Sequence, residues 1–175
     1  MGISYQLEIK DFNAVRMVGK KTTVKFGGNA KKHWKSYLDN GDNDLLQNLK
    51  NKVSPNEDCI GWMGNSNLET KTFIEMPGVF LLENSDIPEG FDYIDIPKCK
   101  MAILWIEGDT PNLERGAHNH LLKYLKKTDY IEDYSLAFSM EYYTSIGYTH
   151  LNKENPVYKF GYLLPCRRRN VWNLD

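Results

Sequence analysis

Long apolar runs are missing from this sequence, and none approaches the length of a membrane span. The opening MGISYQLEIKDF also lacks the pattern of a secretory signal. The expectation is a cytoplasmic protein with no membrane partner. An excess of charge of one sign is missing too. Lys and Arg number 22, Asp and Glu 23, for a formal net charge of -1, so no broad basic field exists to grip nucleic acid. The run CRRRN (166–170) is a local cluster and reads as a solvated tail.

Cysteine is scarce: Cys59, Cys99 and Cys166 are far apart and form no CxxC, which reads as reduced, buried thiols and not as a disulfide framework. HNH (118–120) puts His118 and His120 on different faces of a helix, unsuited to chelating one ion. His33 and His150 have no partners at ligand spacing, and neither HExxH nor a Cys/His set occurs. No metal or other cofactor is expected. GxGxxG, Walker and GxSxG patterns are absent as well, which counts against the familiar nucleotide loops and the serine-hydrolase elbow.

Aromatic residues, by contrast, are abundant, at 13% with eleven Tyr and four Trp. Tyr and Trp are apolar with a polar tip, so they suit walls that meet ligands as well as cores. The chain is long enough at 175 residues for one domain with a sizeable core. Strands are predicted at ISYQLEI (3–9) and FNAVRMVGKKTTVKF (12–26), ended by GGN with Asn29 as a helix cap. A helical pattern over 30–52 divides at NGDND (40–44). Two strands follow, CIGWMG (59–64) and TFIEMPGVFLLEN (72–84), the second broken at Pro77-Gly78.

That order then recurs. After the turn IPEG come YIDIP (93–97) and CKMAILWIEG (99–108), then a helix capped by Asp109 or Thr110 with Pro111 in its first turn. Its stripe is Leu113, Ala117, Leu121, Leu122 and Leu125. Strands at SLAFSMEYYT (135–144) and VYKFGYLLP (157–165) complete the pattern. Strand–helix–strand–strand, twice, predicts an α+β domain over 1–175 with pseudo-symmetric halves at about 1–86 and 87–168. The halves would share a curved, antiparallel-rich sheet with helices on its convex side and a central ligand cleft on the other.

VRMVGKK, MPGVFLLEN, IPKCKMAILWIEG, then FSMEYY followed by KFGYLLP, resemble in order and spacing the GyrI-like small-molecule-binding domains. These are related to the effector-binding domains of AraC-type and MerR-type transcription regulators. The resemblance runs from the first strand to Pro165, and its most specific piece is the Glu-x-Tyr of a late strand, Glu141 and Tyr143. It implies a cleft in which that acid meets cationic or polarised lipophilic compounds. The regulators carry a helix-turn-helix before this domain, whereas here the first strand starts within a few residues of Met1. A stand-alone domain with no direct nucleic-acid partner is therefore expected; a protein partner stays open.

Glu is depleted from strands, and an unpartnered buried acid is costly, so Glu141 among Phe138, Met140, Tyr142 and Tyr143 demands a reason. Alternation puts Ser139, Glu141 and Tyr143 on one face and Phe138, Met140 and Tyr142 on the other. The second set is expected beneath the helices, leaving the acid on the open face; the alternative is a Glu merely wetted there. Trp62 either faces Glu141 across the cleft by pseudo-symmetry or is core. Trp105 reads as core that ends near the groove, Phe26, Tyr148 and Tyr162 as weaker wall candidates, and Trp34 as core.

Ionised, Glu141 would attract a lipophilic cation while aromatic faces add cation–π attraction of up to ~2 kcal/mol. That is a drug- or toxin-binding module. Alternatively, Glu141 activates water and Tyr143 donates to the leaving oxygen, as the resemblance implies through relatives that hydrolyse cyclopropane-bearing DNA-alkylating compounds. A gyrase-inhibiting protein interaction, also implied by the family, ranks last because the charge is near neutral.

Overall fold

The computed structural model describes residues 2–28, 30–109, 113–144 and 158–170. In chain order the elements are β1 (Ser4–Phe12), β2 (Val15–Gly19), β3 (Thr22–Lys25), α1 (Lys31–Asp39), α2 (Asp42–Gln47), β4 (Cys59–Asn67) and β5 (Thr72–Leu82). There follow β6 (Asp92–Ile96), β7 (Cys99–Gly108), α3 (Ala117–Leu125), β8 (Tyr130–Glu132), β9 (Phe138–Tyr143) and β10 (Tyr158–Arg168). The architecture is α+β: one large antiparallel sheet in the order β1-β7-β10-β9-β4-β5-β2-β6, with β3 added to β5 and β8 to β10. None of the described helices is long and apolar enough to cross a membrane.

Several expected boundaries move for local reasons. The strand expected over 12–26 is two strands, β2 and β3, and its start belongs to β1. Pro77 does not break β5. Its carbonyl accepts from the Lys20 N–H at 3.2 Å, beside the gap where β2 has ended and β3 has not begun. In an antiparallel ladder a residue's N–H and C=O point to the same side, so the N–H that proline lacks falls in that gap. Beside it, a Cβ on Gly78 would lie 1.9 Å from the Val18 carbonyl oxygen, so only glycine lets β2 approach this closely.

Gly41, at φ +77, separates α1 from α2 inside the expected NGDND break. The second helical segment is shorter than expected, because left-handed Gly116 precedes its first residue, Ala117. Asn29, Thr110 and Pro111, read as helix-start residues, lie outside the described residues. β9 starts at Phe138 instead of 135, after Ala137 turns the chain at φ +45. β10 runs on past Pro165 to pair with β8, so Cys166, Arg167 and Arg168 of the presumed solvated tail are strand.

The sheet curls strongly. β1 and β5 stand five places apart in the strand order, about 24 Å if flat, yet the Phe12 and Phe80 rings meet at 5.6 Å. The concave face buries Met17, Ile60, Trp62, Met76, Phe80, Ile103 and Met140 against one another, with none of the described helices between them. The convex face is covered by helices. Leu113, Ala117, Leu121 and Leu125 pack on Leu104, Ile106 and Leu164, while Tyr37 and Leu46 pack on Val18, Val79 and Leu81. Each such fully buried aliphatic side chain is worth roughly 1.5–3 kcal/mol.

This arrangement corrects one expectation. Phe138, Met140 and Tyr142 do share a face, but it is the concave one and not the face beneath the helices. Ser139, Glu141 and Tyr143 lie on the helix side. Alternation fixes which residues go together; it could not say which set meets the helices, because the curled sheet buries apolar residues on both faces.

Candidate functional site

Glu141 sits near the middle of the sheet, paired across to Tyr162 of β10 and to Gly61 of β4. Two residues along the same strand face, the Tyr143 hydroxyl donates 2.6 Å to Glu141 Oε2. Tyr143 is fixed from both sides, its ring stacked on Phe160 at 5.7 Å and edge-on to Trp34 at 5.4 Å. Trp34 reaches down from α1 into space opened by Gly61, where a Cβ would stand 2.8 Å from its Cζ2 and 3.6 Å from Glu141 Oε2. A side chain at position 61 would fill the place where indole and carboxylate meet.

A second acid stands on the same face. Glu75 of β5, only 3% exposed, accepts the Trp34 indole N–H at 2.9 Å through Oε1, and its Oε2 has no partner among the described residues. Burial pushes Glu75 up to about 7, opposed by the Trp34 bond and reinforced by the charge of Glu141. Burial likewise raises the Glu141 carboxyl; the Tyr143 bond works against it and the charge of Glu114 adds to it. No cation figures among these causes. The site is acidic, aromatic and poorly hydrated, which favours proton uptake at neutral pH and equally favours an incoming positive charge.

Tyr162 is buried beside it, donating to Ser139 Oγ at 2.9 Å and lying 3.4 Å from His118 Nδ1. Burial holds its hydroxyl up at about 12. Trp62 lies on the opposite face, tilted against Phe138 at 6.3 Å, and does not look across at Glu141. Trp105 is also on that face, donating to Glu8 Oε2 at 2.9 Å. Phe26 follows β3, 44% exposed and stacked on Phe73. Tyr148 and His150 fall outside the described residues. Cys59 and Cys166 are buried thiols pushed up to about 11 by burial, while Cys99 is half-buried.

Glu75 and Trp34 are the residues that sequence reasoning missed. The signal for Glu75 was present: TFIEMP places an acid among apolar strand residues, as FSMEYY does. Trp34 gave no such signal, because an apolar-striped helix explains it without a site.

The sequence model of one family, the GyrI-like small molecule binding domain, matches residues 5–159. No curated protein sequence matches the chain. Among solved structures, SAV2435 bound to tetraphenylphosphonium superposes with a TM-score of 0.68 at 18% identity, covering 93% of this chain and 94% of that one. The C-terminal domain of EcmrR gives 0.64 at 13% identity, covering 94% and 99%. A hydrolase encoded by lin2189 of Listeria innocua gives 0.52 at 10% identity, covering 93% and 92%. At these identities the likeness is one of fold.

Proposed function

The chain belongs to the GyrI-like small-molecule-binding domain family, and from that premise we propose that it binds lipophilic organic cations in a cleft on the helix side of the sheet. Glu141 and Glu75 supply the counter-charge, and Trp34 and Tyr143 the aromatic walls. The observation that carries this reading is two acids on one sheet face, tied to those rings, with no cation paired to either among the described residues. A cation there relieves the mutual repulsion of the acids and gains cation–π attraction from the rings. That a structural neighbour is bound to tetraphenylphosphonium supports the choice of ligand class.

The reading treats the chain as one cytoplasmic domain of two pseudo-symmetric halves. The strand order supports the two-fold arrangement, since outward from the β4–β9 pair lie β5, β2 and β6 on one side and β10, β7 and β1 on the other. β2, α1, β4, β5 and β7, α3, β9, β10 are then the two repeats, with Glu141 beside their junction.

Titration of the chain with tetraphenylphosphonium and with neutral triphenylphosphine oxide tests the reading. Glu141→Gln should weaken the phosphonium by about tenfold, the worth of one charged contact, and change the neutral ligand little. Equal effects on both ligands would defeat it.

The Tyr143 hydroxyl 2.6 Å from Glu141 Oε2 favours a second reading, a ring-opening hydrolase, because it sets a proton donor beside a carboxylate whose proton affinity burial raises. Glu141 would take a proton from water as its oxygen bonds to a cyclopropane carbon. The ring C–C electron pair would pass to the conjugated oxygen, which Tyr143 protonates. Here Glu141→Gln should abolish turnover while binding persists.

A further inference from the structure

A cavity of about 340 Å³ opens on the concave face of the sheet, on the side away from Glu141. Its volume falls within the range of small-molecule sites, about 300–1,000 Å³. Phe12, Phe80, Trp105 and Tyr142 form its aromatic wall, and Lys10 and Lys52 stand on its lining. The wall is preformed. Trp105 is anchored by its bond to Glu8 and meets Tyr142 edge-on at 6.1 Å, and Tyr142 in turn lies 6.4 Å from Phe80.

Its electrostatics differ from those around Glu141, because Lys10 and Lys52 share the lining with Asp11 and Asp58. The acids on the lining are already engaged. Asp58 Oδ2 takes the Tyr142 hydroxyl at 2.5 Å and the Ser54 hydroxyl at 2.8 Å, and Asp11 holds Lys100 at 2.8 Å. The lysines are less satisfied. Lys52 bonds the neutral oxygens of Gln47 at 2.7 Å and Asn56 at 3.1 Å, and no carboxylate pairs with it among the described residues. Lys10 has a loose pairing with Glu8 at 3.6 Å on an exposed edge. Asp58, bonded by neutral hydroxyls, keeps its charge, so the preference for an anion rests on the two ammonium groups, which have donors to spare.

We propose that this cavity is a second ligand site for lipophilic aromatic molecules with an acidic head. The rings lie against Trp105 and Tyr142, and the anionic group meets Lys10 and Lys52. The protein thereby presents two pockets of opposite charge preference, one on each face of the same sheet.

The test uses the full chain with the anionic dye anilinonaphthalene sulfonate and its uncharged relative N-phenylnaphthylamine, both followed by fluorescence. Saturable binding of the sulfonate is expected, and it should persist in saturating tetraphenylphosphonium. Trp105→Leu removes part of the wall. Val53→Trp narrows the cavity from a position that is 45% exposed and tolerant of change. Each should weaken the dye about tenfold or more, leaving phosphonium binding intact. Lys10→Glu combined with Lys52→Met should weaken the sulfonate about fivefold and the uncharged dye less than about twofold. Absence of saturable binding, mole-for-mole displacement by phosphonium, or indifference to Val53→Trp in a folded variant would overturn the site. Equal loss of both dyes in the lysine variant would overturn its charge preference.

Discussion

The indole N–H of Trp34 on α1 donates 2.9 Å to the carboxylate of Glu75 on β5, and the other oxygen of that acid is buried without a partner among the described residues. One hydrogen bond thus joins the helix over the site to a buried acid beneath it. A buried carboxylate with a single donor is a poor arrangement for stability. Such an arrangement is expected where a ligand, not the fold, completes the coordination.

Glu75 should therefore make stability fall as pH rises. Its folded value of about 7 lies above the ordinary 4.5, so between these limits the native state holds a proton that the unfolded chain has released. Stability is complete below about pH 4.5 and is lost as pH rises through 7, by on the order of 2–3 kcal/mol. Urea unfolding at pH 5 and pH 8 should show that loss in the wild type, and Glu75→Gln should reduce it, leaving the part that the raised Glu141 carboxyl contributes. A wild-type curve that rises across this window would contradict the assignment.

Trp34→Phe keeps an aromatic ring and removes the indole donor. Because the lost bond holds the Glu75 value down, the value should climb further. The variant should lose stability at both pH values, by about 1–2 kcal/mol more at pH 8 than at pH 5. Equal losses at both pH values would mean that the ring's packing matters and the hydrogen bond does not.

Cation affinity should move with pH in the opposite sense to stability. The ligand favours ionised acids, so tetraphenylphosphonium should bind more tightly as pH rises through about 7. Tyr143→Phe removes the bond that lowers the Glu141 value, so the part of the profile set by Glu141 should move to higher pH. Isothermal titration from pH 6 to 9 on both proteins reads the shift directly, and superimposable pH profiles would refute the link between Tyr143 and Glu141.

Much of this was legible in the sequence, and the gaps have physical causes. Period and turn chemistry placed Cys99–Gly108 at its observed bounds and grouped Glu141 with Tyr143. They failed at Pro77, where a gap between β2 and β3 removes the usual penalty. They failed again over which face meets the helices, since a curled sheet with two apolar faces has no solvent side to read. Trp62 was drawn toward Glu141 by symmetry of element order, yet the register that puts Gly61 opposite Glu141 turns its neighbour Trp62 to the other face. Partners such as Trp34 and Glu75, 41 residues apart, come together only through tertiary packing.

Gly61 offers the most direct test that Trp34 and the two acids act as one site. A Cβ there would stand 2.8 Å from Trp34 Cζ2, so Gly61→Ala must displace the indole. The obstacle is a side chain that can move, unlike the Val18 backbone that a Cβ on Gly78 would strike at 1.9 Å. Gly61→Ala should fold with a loss of about 1–3 kcal/mol, typical of overpacking, whereas Gly78→Ala should fail to accumulate as folded protein. Adding Trp34→Leu to Gly61→Ala removes the clash and, at pH 5, where the lost Glu75 donor costs least, should recover part of that stability, a non-additive result in a double-mutant cycle. It should not recover phosphonium affinity, because the aromatic wall and the Glu75 donor are both gone. Recovery of stability and affinity together would show that Trp34 only fills space. Recovery of stability alone separates the two roles and assigns the ring to ligand binding.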